Sequence, residues 1–300
     1  MGLERLIEAA QPPLLAQAEA IAGRLAGMTR AALYADAAQW ATQLRAANRV
    51  LGCRTALLGA APCVVAEALG STVDWERELV GPAPAPATLV RRASTRWTAL
   101  LGTLERLVAD RGGSAVVAAL PGPAALAHSI GLQLTDTVAA QLKPALVTLA
   151  EDICRLRPDL LLLREDVALA PGELPPAYRR LFGTVRNIAR YFDVPLGLAV
   201  GTTDAASLDA VARLQPDVVL LTIDAAGTLP GLDAVARISA TVPLVGVPVA
   251  LTDPEGSRAR VHRARERLTI GRWCVCTAAE LPANIDLGAV RALLNELETV

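Results

Sequence analysis

Seven short apolar runs constrain what this 300-residue chain can fold into. They are 54–60 (RTALLGA), 114–120 (SAVVAAL), 159–165 (DLLLLRE), 195–200 (PLGLAV), 217–223 (DVVLLTI), 243–249 (PLVGVPV) and 272–277 (RWCVCT). Each is continuously apolar rather than alternating. A strand covered on both faces reads this way, because neither face meets solvent. Segments of helical character lie between them, at 98–110, 136–156, 177–191, 204–214 and 256–268. Strand–helix alternation predicts a parallel α/β architecture. The length suits a (β/α)8 TIM-type barrel, which typically takes about 250 residues. An eighth strand has room near Pro12–Ala16. Residues 1–51 read as a mostly helical N-terminal segment, in which the run 36–52 ends at Gly52 as a C-cap. No low-complexity linker divides the chain, so 1–300 is expected to be a single barrel domain, with GPAPAPA (81–87) a long loop.

One internal echo carries information about a site. RLRPDLLLLRED (155–166) aligns without gaps to RLQPDVVLLTID (213–224). Each half reads as a helix end, a Pro-Asp turn, a buried strand and an acid just past the strand. Asp166 and Asp224 therefore occupy equivalent places, with one strand between them. Alternate strands of such a barrel fill the same interior layers, so both carboxylates are expected at one height above the C-terminal mouth, where barrels of this kind keep their sites. The plainer alternative is that each acid caps its own turn or the following helix.

Composition narrows the function classes. Hydrophobic residues make up 53% of the chain and charged ones 20%, which excludes intrinsic disorder. A formal net charge of -1 gives no global field for nucleic acid, and 3% aromatics offer no stacking platform for bases. The five cysteines are too few and too scattered for a disulfide framework, which suits a reducing compartment. The N-terminus has acidic residues early and no apolar signal core. The most apolar stretch, 115–132, is interrupted by Pro121, Gly122, Pro123 and His128, so it is not a membrane span. The expectation is a cytoplasmic protein with a small-molecule ligand at the barrel mouth and neither nucleic acid nor membrane as partner, either alone or as a homo- or hetero-oligomer. Neither a phosphate-binding glycine loop nor a Gly-x-Ser-x-Gly nucleophile elbow is present.

Several segments resemble the uroporphyrinogen decarboxylase superfamily. They are AAPCVVAEALGSTV (60–73), LPGPAALAHSIG (120–131), LREDVALAPGELPPAYRRLF (163–182), PLGLAVGTT (195–203) and CTAAELPANIDLGAVRAL (276–293), and the resemblance covers roughly 50–300. That superfamily includes the decarboxylase, corrinoid-dependent methyltransferases and the barrel of cobalamin-independent methionine synthase. The resemblance implies a TIM-type barrel; it does not select one chemistry. In the methyltransferase branch a His-x-Cys-Gly motif and a later cysteine bind zinc, which activates a substrate thiol. Aligned here, Leu198 stands for the His and Val200 for the Cys, leaving only Cys276. In the decarboxylase branch, N-terminal arginines in one motif bind carboxylates and an acid at an early strand end grips the pyrroles. Here Arg5, Arg24 and Arg30 lie outside such a motif, the matching strand end reads Gly59-Ala60-Ala61-Pro62-Cys63, and Ser129 takes the place of a tyrosine. No metal and no cofactor is expected.

The candidate catalytic residues are Glu165, Asp166, Asp224 and His128, and the candidate substrate-binding residues are Arg164, Thr202, Thr203 and Ser129. Strand alternation puts Arg164 and Asp166 on one face and Glu165 on the other. An arginine among acids can hold a polar substrate and move a proton; equally, it can hold a loop. His128 titrates near neutrality if accessible. Gly201, Thr202 and Thr203 precede Asp204, a helix N-cap, where an anion could bind. Cys274 and Cys276 share a strand face but lack partner ligands. The chain is thus expected to be a barrel enzyme with a remodelled pocket, of decarboxylase or methyl-transfer ancestry. The alternatives are a non-catalytic barrel serving as a binding or scaffold subunit, and a methyltransferase without the usual zinc. Converging polar groups at the mouth would favour an enzyme; an apolar mouth would favour a scaffold.

Overall fold

The computed structural model describes residues 2–8, 14–59, 61–81, 89–165, 174–202, 204–224, 226–269 and 272–299. Eight parallel strands form one sheet: β1 (Leu14–Leu15), β2 (Thr55–Gly59), β3 (Ala115–Pro121), β4 (Leu160–Glu165), β5 (Leu196–Val200), β6 (Val218–Leu221), β7 (Leu244–Val249) and β8 (Trp273–Thr277). Their hydrogen-bonded order is β1-β8-β7-β6-β5-β4-β3-β2, so the sheet curls in chain order and brings its first strand back beside its last. Residues 55–59, 115–121, 160–165, 196–200, 218–221, 244–249 and 273–277 lie within or close to the runs read from the sequence. The eighth strand, Leu14–Leu15, falls inside the Pro12–Ala16 stretch and pairs with Val275 and Cys276. β1 and β2 form the two edges and lie side by side, with no ladder between them among the described residues. One hydrogen bond crosses that seam: the Gly59 N–H donates to Glu19 Oε1 at 3.0 Å.

The helices are α1 (Gly2–Glu8), α2 (Glu19–Ala26), α3 (Arg30–Leu33), α4 (Ala37–Leu51), α5 (Pro62–Ala68), α6 (Thr95–Ala109), α7 (Pro123–Ser129), α8 (Asp136–Cys154), α9 (Pro176–Tyr191), α10 (Ala205–Arg213), α11 (Leu232–Ser239), α12 (Pro254–Arg267) and α13 (Leu287–Thr299). Their ends follow local chemistry. Asp36 accepts the Ala38 and Gln39 N–H groups to start α4, and Gly52 stops it in the left-handed conformation, φ 73°. Asp204 accepts the Ser207 N–H to start α10. A short antiparallel ribbon joins Val73–Asp74 to Leu79–Val80. The 81–87 loop lies outside the described residues except for Gly81. No helix among the described residues is long and apolar enough to cross a membrane.

The strands bury both faces, as continuous apolar runs require. Leu57, Val117, Leu160, Leu162, Ala199, Leu220, Leu244 and Cys274 fill an inner core with Leu6 and Leu15. Their strand neighbours Leu58, Val116, Leu161, Leu163, Leu198, Val200 and Val219 pack outward with the helices. α1 brings Leu6, with Leu3 and Ile7 beside it, onto the inner core, and Arg5 Nη1 donates to Asp159 Oδ1 at 3.0 Å at the N-terminal end of β4. Gly246 is required by this filling: a Cβ there would sit 2.5 Å from Leu220 Cδ2 and 2.9 Å from Cys276 Sγ.

The sequence echo is a structural one. Arg157 and Gln215, at matching positions, both take positive φ, 52° and 54°. Asp159 Oδ2 accepts the Val116 N–H and Asp217 Oδ2 accepts the Leu196 N–H, each at 2.8 Å. Each Pro-Asp turn thus ties its strand to the one before it.

Candidate functional site

The C-terminal ends of β1, β4, β5, β6 and β8 surround a cavity of about 250 Å³. Gln17, Arg164, Thr222, Asp224 and Glu280 give it polar walls, and Gly201, Ala278 and Ala279 keep it open. Polar groups thus converge at one end of the strands, within walls that also carry apolar surface.

Arg164 is the inward residue at the end of β4, in register with Ala199 on β5. Glu19, the first residue of α2, lies just behind this wall and does not itself line the cavity. Both reach the same point beside Gly59: a Cβ on that residue would lie 3.0 Å from Glu19 Oε2 and 3.6 Å from Arg164 Nη1. Glu19 is buried. Burial, joined by the charge of Glu280, pushes its carboxyl up to about 8, against the opposing pull of Arg164, the Gly59 N–H and Arg30. Glu19 is thus mostly protonated at neutral pH. Behind it, Arg30 donates to both oxygens of Glu280 at 2.8 and 2.9 Å and to both oxygens of Glu78 at 2.9 and 2.7 Å. The Tyr34 hydroxyl is buried with no hydrogen-bond partner among the described residues, and burial with the neighbouring Glu19 raises it well above the ordinary phenol value. Gln17 Oε1 is likewise buried and unpartnered among the described residues.

The sequence-derived residues divide between this cavity and other duties. Arg164, Glu165 and Asp224 line it together. Glu165 faces away from the inner core, opposite Arg164 as strand alternation requires. It accepts the Ala125 N–H at 2.8 Å and the Ala124 N–H at 3.3 Å, so it caps α7. A Cβ at Gly122 would come 2.1 Å from Glu165 Oε1, which is why that position is glycine. Asp224 Oδ1 accepts the Ala226 and Thr228 N–H groups at 2.9 and 2.8 Å, which closes its own turn. Asp166 and Thr203 lie outside the described residues. Thr202 donates to Asp204 Oδ2 at 3.0 Å, so the α10 N-terminus already carries a carboxylate where an anion was expected. His128 is exposed on α7, and the Ser129 hydroxyl donates to Leu126 O at 2.9 Å; neither lines the cavity.

Two readings need correction. Leu198 and Val200, aligned with the zinc ligands, face the helices, so no side chain there would reach the barrel interior. The inward positions on β5 are Gly197, Ala199 and Gly201, which offer no ligand either. Cys276 is inward, but its thiol is buried, donates to Leu221 O at 3.6 Å and is held well above its ordinary value by burial. No group of three metal-binding side chains occurs among the described residues, and zinc does not fit here. The second correction concerns the end of β2. Its own residues are apolar, yet a carboxylate and a guanidinium meet beside Gly59, supplied by Glu19 at the start of α2 and Arg164 at the end of β4. Glu19 went unnoticed because it sits in an alanine-rich helical stretch; the one signal available was a lone acid following the two-leucine strand.

No protein-family model and no curated protein sequence matches the chain. Solved structures do. A methyltransferase from Methanosarcina mazei is similar over 99% of this chain and 98% of its own, with a TM-score of 0.78 at 15% identity. A B12-independent methionine synthase from a Shewanella species is similar over 70% of this chain and 67% of its own, with a TM-score of 0.46 at 14% identity. The first likeness shows the fold, a parallel α/β barrel-type architecture along the whole chain.

Proposed function

We propose that the chain is a closed (β/α)8 barrel enzyme of methyl-transfer ancestry whose remodelled mouth takes a small polar molecule without a protein-bound zinc. The observation that carries this reading is the buried, protonated Glu19 beside Arg164 at the C-terminal mouth. Arg164 is the fixed cation that orients an anionic or carbonyl group. Glu19, buried beside Arg164 just behind the cavity lining, is the proton store for the atom on which charge develops, and the Gly59 N–H stabilises the carboxylate that remains. Asp224 and Gln17 supply further acceptors in the cavity lining. The whole-chain likeness to a methyltransferase supports the ancestry, and the missing ligand positions on β5 support a zinc-independent chemistry.

The cavity also limits substrate size. About 250 Å³ is below the range of roughly 300–1,000 Å³ usual for drug-sized ligands, so a small metabolite fits and a polycarboxylate macrocycle does not. Anaerobic incubation with uroporphyrinogen should therefore yield no coproporphyrinogen at an ordinary enzymatic rate.

The experiment is a screen of methyl-transfer and decarboxylation assays on chelator-treated protein from about pH 5 to 10. Turnover should survive chelation, fall as pH rises through about 8 when Glu19 ionises, and be lost in Arg164→Ala and Glu19→Gln. Turnover that requires zinc, or that Glu19→Gln leaves intact, would overturn the assignment.

A further inference from the structure

A second cavity, of about 340 Å³, opens at the opposite end of the strands, between α4, α6 and the N-terminal ends of β2 and β3. Arg45, Arg49, Arg111, Asn48 and Ser114 line it, with Asp110 as the one carboxylate among its described lining residues. Arg45 and Arg111 are held in place. Arg45 Nη2 donates to Arg106 O at 2.7 Å and to Asp110 O at 3.2 Å, covering the C-terminal carbonyls of α6, and pairs with Asp110 Oδ2 at 3.3 Å. Arg111 Nη1 donates to Asp159 Oδ1 at 2.8 Å and Nη2 to Arg157 O at 2.6 Å. The Arg49 side chain makes no ion pair or hydrogen bond among the described residues, and it is exposed.

Asn48 supplies the independent observation. Its side chain is 6% exposed, and its Oδ1 has no hydrogen-bond partner among the described residues. A buried amide oxygen left unpaired is destabilising, so such groups normally meet a donor. With Arg45 paired to Asp110 and Arg111 to Asp159, Arg49 is the open cation beside this orphaned acceptor among the described residues, which describes a ligand that is both anionic and hydrogen-donating.

We propose that this cavity binds a compact organic oxyanion, phosphate or carboxylate, that also carries an O–H or N–H donor: the oxyanion meets Arg49, and the donor meets Asn48. This site is separate from the mouth and does not depend on the chemistry assigned there.

The test is isothermal titration calorimetry on the full chain with ribose 5-phosphate, malate and inorganic phosphate as probes. At least one of the two hydroxylated probes should bind saturably below about 1 mM and more tightly than inorganic phosphate. Arg49→Glu, a surface change, should weaken that binding by about tenfold or more, and Arg164→Ala at the other end should leave it unchanged. Which hydroxylated probe binds tells phosphate from carboxylate. The proposal fails if neither binds by about 10 mM, the result expected if water alone satisfies Asn48. It also fails if Arg49→Glu has no effect, if inorganic phosphate binds as tightly, or if Arg164→Ala abolishes binding.

Discussion

The two ends of the strands use the same device, a buried carboxylate that takes a backbone N–H from an adjacent strand, and put it to different ends. At the N-terminal end, Asp159 accepts the Val116 N–H and is also bridged by Arg111 and Arg5 at 2.8 and 3.0 Å. Burial raises Asp159, and the Val116 N–H and Arg5 pull it back. At the mouth, Glu19 accepts the Gly59 N–H, yet burial and Glu280 outweigh Arg164 and leave it at about 8. Direct guanidinium bridges make the lower carboxylate a strut. The upper one, with a like charge nearby, is a stored proton.

The contrast can be broken by mutation. The largest loss is expected from Asp159→Ala, which leaves a buried N–H and strips a partner from each of two arginines. Breaking such a buried network costs about 4 kcal/mol, measurable by urea unfolding. Little loss would mean that the lower carboxylate is not a strut.

Glu19→Gln should act in the opposite direction and with a defined pH dependence. The folded-state value of Glu19 is raised from 4.5 to about 8. Between these values the folded protein binds the proton more than the unfolded chain does, so stability falls as pH rises, by up to about 1.4 kcal/mol per unit for this group. Below about 4.5 the penalty is absent, and above about 8 it is complete. Glutamine still accepts the Gly59 N–H and never ionises. The variant should therefore gain on the wild type by roughly 3–4 kcal/mol between about pH 5 and 8. Parallel stability curves for the two proteins would contradict this.

Asp217→Ala should cost only about 1 kcal/mol, because Asp217 makes the same strand tie to Leu196 with no salt bridge among the described residues. A loss as large as that of Asp159→Ala would show that the arginines add nothing. The smallest effect is expected for zinc. Elemental analysis should find no stoichiometric zinc, and Cys276→Ser should leave metal content unchanged. About one zinc per chain, lost in that variant, would overturn the assignment of β5.

The strand framework was legible in the sequence because strands buried on both faces leave uninterrupted apolar runs, which local composition reveals. Leu14–Leu15 was only a possibility, since two residues carry no periodicity. The site was legible where a strand delivers its own residue, as Arg164 and Asp224 show. It was illegible where elements distant in sequence meet: Glu19, Arg30 and Glu280 converge only because β1 returns to close against β8. Glu165 shows the converse. A charged residue at a strand end resembled chemistry but is engaged by the N-terminus of α7, a contact that depends on Gly122 allowing the helix close.

The central claim, that the mouth holds a protonated acid at neutral pH, can be tested by NMR titration of protein labelled with carbon-13 at the glutamate carboxyls, with the Glu19 resonance identified by its absence in Glu19→Gln. A midpoint at about 8 is the predicted result. A midpoint near the ordinary 4.5 would leave Glu19 ionised at neutral pH and remove the proton donor from the site.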